Sequence, residues 1–145
     1  MLFCARENLI ITSTTTGNET ISLPGVDLTK RLVPRIREIE LTLDPIDWPI
    51  GESPARVWFG ISKETDTTPT IDHDETIQGW EMVVEGAVYC LATDFLRVFQ
   101  DPIALAKEEV YLVFESSHAC SINLYSRIFY EVTRVKSDEM VALMV

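Results

Sequence analysis

Histidine is almost missing from this chain: two occur in 145 residues. Metal centres that gather several imidazoles around one ion are therefore poorly supported. Cysteine is nearly as scarce. Cys4, Cys90 and Cys120 are an odd count, widely spaced and without a C-x-x-C, so neither a disulfide framework nor a zinc cage is expected. Positive charge is short as well, with 12 Lys and Arg against 23 Asp and Glu, a net −11. Phosphate binding needs clustered cations, so direct contact with nucleic acid is not expected. No apolar run approaches the ~20 residues that span a bilayer. The opening M-L-F-C-A-R-E-N has no basic segment followed by an apolar one, so no secretory signal is expected. The glycine motifs of nucleotide and hydrolase sites, G-x-x-x-x-G-K, G-x-G-x-x-G and G-x-S-x-G, do not occur.

What is present is strand pattern. Hydrophobic residues make up 46% of the chain, enough for a core in one domain. Leu9 to Thr15 is rich in β-branched residues and ends at Gly17-Asn18, a hairpin signal, with Ile21 to Leu23 returning. From Glu38, the stretch R-E-I-E-L-T-L-D alternates: Ile39, Leu41 and Leu43 share one face, and Glu38, Glu40, Thr42 and Asp44 share the other. The alternation slips at Ile36-Arg37, which predicts a bulge, and Pro34 suits a strand start. D-P-I-D-W-P-I-G-E-S-P is a loop. Val57, Phe59 and Ile61 point one way, and Trp58 the other. Trp80, Met82 and Val84 form another alternating set, followed by an apolar run over Phe95 to Gln100. Asp101-Pro102 could start a short helix to Glu109, but an extended segment with a tight turn at Ala106-Lys107-Glu108 fits better, because the strand Val110 to Glu115 follows at once. Ser116 to Ala119 reads as a turn. Cys120 to Lys136 then keeps period two, with Ile122, Leu124, Ile128, Tyr130 and Val132 on one face and Tyr125, Arg127 and Phe129 on the other. That run is longer than a usual strand, so a bend near Ser126 or participation in both sheets is expected. Ser137-Asp138-Glu139 could open a short terminal helix, with a final strand as the alternative.

The expected fold is all-β: a two-sheet sandwich of jelly-roll type with about eight strands and at most short helices near 101–109 and 137–144. Residues 1–8 read as a short N-terminal arm, and 9–145 as one domain.

Candidate chemistry is sparse. T-I-D-H-D-E sets His73 among acids. Asp72, Asp74 and Glu75 could converge on a divalent cation in a turn, but the pattern lacks the glycine of a calcium loop and reads more simply as a solvated loop tip. Cys120 has a histidine two residues away, His118, but spacing alone does not make an activated thiol. No cofactor is expected, and no carboxylate pair stands out. The aromatics are more suggestive. Trp58, Tyr125 and Phe129 each fall on the wetter face of a strand, which suggests a face covered by loops or by another subunit.

The strand series R-E-I-E-L-T-L-D, A-R-V-W-F-G-I-S, E-E-V-Y-L-V-F-E and S-I-N-L-Y-S-R-I-F-Y-E-V-T-R-V resembles the single jelly-roll capsid and virion proteins of icosahedral viruses. The resemblance implies a non-enzymatic structural protein in the virion that self-associates or docks on other virion proteins. It departs from such proteins in lacking a basic arm. The alternative is a carbohydrate- or ligand-binding β-sandwich module, soluble inside the cell and perhaps using a divalent ion.

Overall fold

The computed structural model describes residues 1–47, 55–65, 74–84 and 92–145. Its strands are β1 (Leu2–Ser22), β2 (Leu32–Asp47), β3 (Ala55–Ser62), β4 (Thr76–Val84), β5 (Thr93–Ala104) and β6 (Glu109–Arg134). One helix follows, α1 (Ser137–Met144). All strand pairings are antiparallel, in the order β4-β3-β6-β2-β5 with β1 alongside β6.

The two longest strands decide the architecture. β1 follows β6 from Leu2 opposite Glu131 to Ser22 opposite Glu109. On its other side β6 pairs with β3 over Tyr111–Ser116, then with β2 over Ser121–Arg134. Each long strand thus contributes one half to each of two sheets. The first sheet runs β1 (N-terminal half), β6 (C-terminal half), β2, β5. The second runs β1 (C-terminal half), β6 (N-terminal half), β3, β4. Counting each half as a strand and numbering in chain order gives 1-8-3-6 facing 2-7-4-5. That interleaving is the double Greek key of a jelly roll.

The bend between the halves is built from polar residues. β1 shifts register between Ile11 and Thr14 and again before Thr16, and Ser13 adopts a φ of 47°. A bulge there turns the strand and leaves backbone groups unpaired. Side-chain oxygens take them up. The Ser13 N–H donates to Ser121 Oγ (2.9 Å), the Arg56 N–H to Ser117 Oγ (2.8 Å), and Ser116 Oγ to the His118 carbonyl (2.7 Å).

The inner faces meet as period two requires. Ile39, Leu41, Leu43, Leu9, Ile122, Leu124 and Ile128 from the first sheet pack against Val57, Phe59, Ile61 and Leu112 from the second. Phe59 meets Phe95 edge-on across the sandwich at 4.8 Å, and Trp80 stacks on Phe59. Tyr130 is fully buried. It stacks on Phe3 at 5.4 Å and donates its hydroxyl to the Pro24 carbonyl (2.7 Å). A smaller cluster of Val33, Val135 and Met140, with Leu28 and Leu143, seats α1 at one end of the sandwich.

Several expectations change. The arm over 1–8 is instead the start of β1, because its alternating Phe3, Ala5 and Leu9 reach the core while β6 supplies hydrogen bonds. No hairpin forms at Gly17-Asn18. Gly17 pairs with Phe114 inside β1, and a Cβ there would collide with the Ile11 side chain, so the glycine serves close packing and not a turn. The turn at 116–119 is the bend of β6, which stays continuous. Other expectations hold: of the two readings of 101–109 the extended one forms, with β5 running to Ala104 and the chain turning before Glu109, and the helix near 137–144 is present. The bulge at Ile36-Arg37 appears as a register shift between Ile36 and Glu38 against both neighbours.

Candidate interaction surface

Outward-facing residues of the first sheet line up in rows across β1, β6, β2 and β5. One row is Arg6, Arg127, Glu40 and Leu96, and the next is Asn8, Tyr125, Thr42 and Asp94. Phe129 sits beside Cys4 and Glu38, with Val98 beyond. Alternation carries these outward, opposite the core residues Ala5, Leu9, Ile39, Leu41, Leu124 and Ile128.

This face sets large apolar side chains among charged ones. Ile10 (69%), Val98 (59%), Leu96 (57%) and Tyr125 (38%) are all exposed. Toward one edge, Arg6 on β1 and Arg127 on β6 stand directly opposite each other. Like charges so placed destabilise a sheet. Arg127 Nε is held by Glu40 Oε2 at 3.4 Å, whereas Arg6 has no ion-pair partner among the described residues. Arg6, Asn8, Thr42, Tyr125, Ser126 and Arg127 surround an open depression of about 380 Å³. Two further contacts hold charged groups on the face. Arg37 bonds Glu131 at 2.9 Å, a contact that holds the Glu131 carboxyl below its ordinary pKa, and Thr42 Oγ1 donates to Asp94 (2.7 Å).

Of the three aromatics singled out in the sequence, Tyr125 and Phe129 share this face and flank Arg127. Trp58 does not join them. It lies half-buried on the outside of the second sheet, between Glu81 and Glu115. Asp72 lies outside the described residues. Asp74 and Glu75 occupy the turn before β4, where the Glu75 carbonyl accepts from the Lys63 N–H (2.8 Å) and Ser62 Oγ (3.1 Å). Among the described residues no three His, Cys, Asp or Glu side chains form a metal cluster. Cys120 is 2% exposed, and burial raises its thiol pKa, the reverse of an activated nucleophile. His118 Nδ1 lies 3.0 Å from Ser117 Oγ.

The sequence reading missed Arg6, Ile10, Leu96 and Val98. For Arg6 the signal is the alternation in C-A-R-E-N-L, which an arm over 1–8 overlooks; Ile10 lies in the strand run Leu9 to Thr15, where adjacent Ile10 and Ile11 do not separate outer from inner face. Phe95 to Val98 offers apolar residues to both faces, so periodicity alone could not assign its outer side.

No family model and no curated protein matches the chain. Among solved structures it is similar to a chain of Desmodium yellow mottle tymovirus (12% identity, 94% of this chain and 91% of that one, TM-score 0.41). It is likewise similar to one of turnip yellow mosaic virus (12%, 95% and 96%, 0.42) and to one of an Israeli acute paralysis virus full particle (10%, 94% and 75%, 0.35).

Proposed function

We propose that this chain is a non-enzymatic structural subunit that works by self-association, as a virion capsid or capsid-associated protein. The observation that carries the self-association is the outer face of the first sheet, where Ile10, Leu96, Val98 and Tyr125 stand exposed around two arginines. Exposed apolar and aromatic side chains set among arginines are what subunit contacts bury. The virion setting rests on the strand pattern of the sequence alone, since a jelly roll hosts unrelated functions. Light scattering across a concentration series tests the reading. Mass that rises with concentration, without added calcium, is the expected result. A monomer at every concentration would overturn it, and a calcium-dependent change in a monomer would favour the ligand-binding module.

A further inference from the structure

We infer that copies of this chain join edge to edge, β5 of one copy pairing with the N-terminal half of β1 of the next in the register that sets Asp94 opposite Arg6. The inference rests on the self-association reading and adds which surfaces meet. These are the two outer strands of the first sheet, and among the described residues no strand pairs with the far side of either. Such an edge is a template for another strand. Leu2 to Ile11 and Thr93 to Val98 hold no proline and no lysine, the residues that commonly block one.

The two edges fit each other in direction, backbone phase and side chains. β1, β6, β2 and β5 alternate in direction, so a copy set beside the sheet in the same orientation presents β1 antiparallel to β5. In an antiparallel strand the backbone groups of one residue turn to one neighbour and those of the next residue to the other. The Glu7 carbonyl accepts from Ser126 Oγ on β6 (3.0 Å), while the Asn8 N–H donates to Glu7 Oε1 (3.1 Å). Glu7 thus turns its backbone to β6, and the even-numbered residues of β1 turn theirs to the open edge. Carried through the registers of β6 and β2, the same alternation turns Asp94, Leu96 and Val98 to the open edge of β5. Pairing Leu2 with Val98, Cys4 with Leu96 and Arg6 with Asp94 therefore matches the hydrogen-bonding residues of both edges and keeps these side chains on the outer face. Leu2, Leu96 and Val98, each more than half exposed, cover one another. Arg6 gains the carboxylate it lacks, which offsets the repulsion from Arg127 on its other side. The next permitted register either way sets Asp94 against Asn8 or Cys4 and leaves Arg6 without an opposite charge. Either edge paired with its own kind also keeps Arg6 and Asp94 apart. Because the contact joins different edges, it repeats from copy to copy and closes a ring or extends a filament.

Charge exchange tests the pairing. Arg6→Asp and Asp94→Arg should each, alone, associate about tenfold more weakly than wild type in sedimentation. A response to net charge alone would move the two in opposite directions, since one makes the chain more acidic and the other less. An equal mixture should regain association, because the reversed edges meet each other and the untouched edges meet as in wild type. Oxidation reads the register. In a Cys90→Ser background, Leu96→Cys places a thiol opposite Cys4 of the next copy, at a Cα separation of about 5.5 Å that a disulfide spans. Non-reducing gels should show a ladder of covalent oligomers, and adding Cys4→Ser should abolish it. Dimers that persist with Cys4→Ser would mean that β5 pairs with β5, and would overturn the inference. Circular dichroism checks the fold of every variant. If both charge variants associate like wild type, or the mixture regains nothing, these edges are not the contact although self-association stands. If the wild-type chain never associates, the self-association reading fails first and takes this inference with it.

Discussion

Tyr130 joins the core to the turn after β1 through one hydroxyl, its bond to the Pro24 carbonyl. Tyr130→Phe keeps the ring and the Phe3 stack but loses that bond, and should cost about 1 kcal/mol in urea unfolding at neutral pH. Burial pushes the phenol pKa up to about 12. A raised folded pKa gives stability that is complete below the unfolded value, ~10, and is lost as pH rises through about 12. The wild-type chain should therefore lose stability across that window more steeply than the phenylalanine variant. Asp27 acts in the opposite direction. The Thr29 hydroxyl (2.6 Å), then the N–H groups and charge of the Lys30 turn, hold its carboxyl below the ordinary value. Its contribution is present above ~3.9 and fades as pH falls through the folded pKa. Asp27→Asn should thus lower the urea midpoint at pH 7, with the gap closing in acid. The thiols separate by burial. In a Cys90→Ser background, exposed Cys4 should react at once with Ellman's reagent and Cys120 only on unfolding.

At the scale of elements, the close approach of β3 and β4 depends on Gly60 facing Gly79. A Cβ on Gly60 would strike the Gln78 carbonyl and come within 2.9 Å of Gly79 Cα, both backbone. Gly60→Ala should cost roughly 1–3 kcal/mol by prising the strands apart. Phe59→Ala should cost about 3–5 kcal/mol, since the ring is fully buried between Trp80 and Phe95. Most elements could be read from the sequence because period two is local. Ile39-Leu41-Leu43 and Ile122-Leu124-Ile128 gave both the strand and its inner face, and the slip at Ile36-Arg37 gave the bulge. The errors lie where a partner strand overrode local chemistry. Gly17-Asn18 and Ser116-Ser117 look like turns alone, but a 21-residue strand lying along a 26-residue one holds each extended. The interaction face was half-legible: Tyr125 and Phe129 stood out as aromatics on a wet face. Its arginine pair depends on the register of β1 against β6, which no local pattern states.

For the whole molecule, a net charge of −11 makes copies repel one another, so association through the exposed apolar side chains should rise with salt, since screening shortens the reach of those charges to ~3 Å at 1 M. The β1–β6 ribbon described above has a consequence in time as well as in space. Among the described residues β1 pairs only with β6, and β6 also joins β2 to β3. A growing chain therefore makes its first strand early and holds it unpaired until residues 109–134 emerge. At ~5–20 residues per second, that wait lasts several seconds. Contacts of such long sequence separation fold slowly. A fragment ending at Glu108 should show no cooperative unfolding, although most of its strands are present. The last strand made sets the moment at which the first becomes structure.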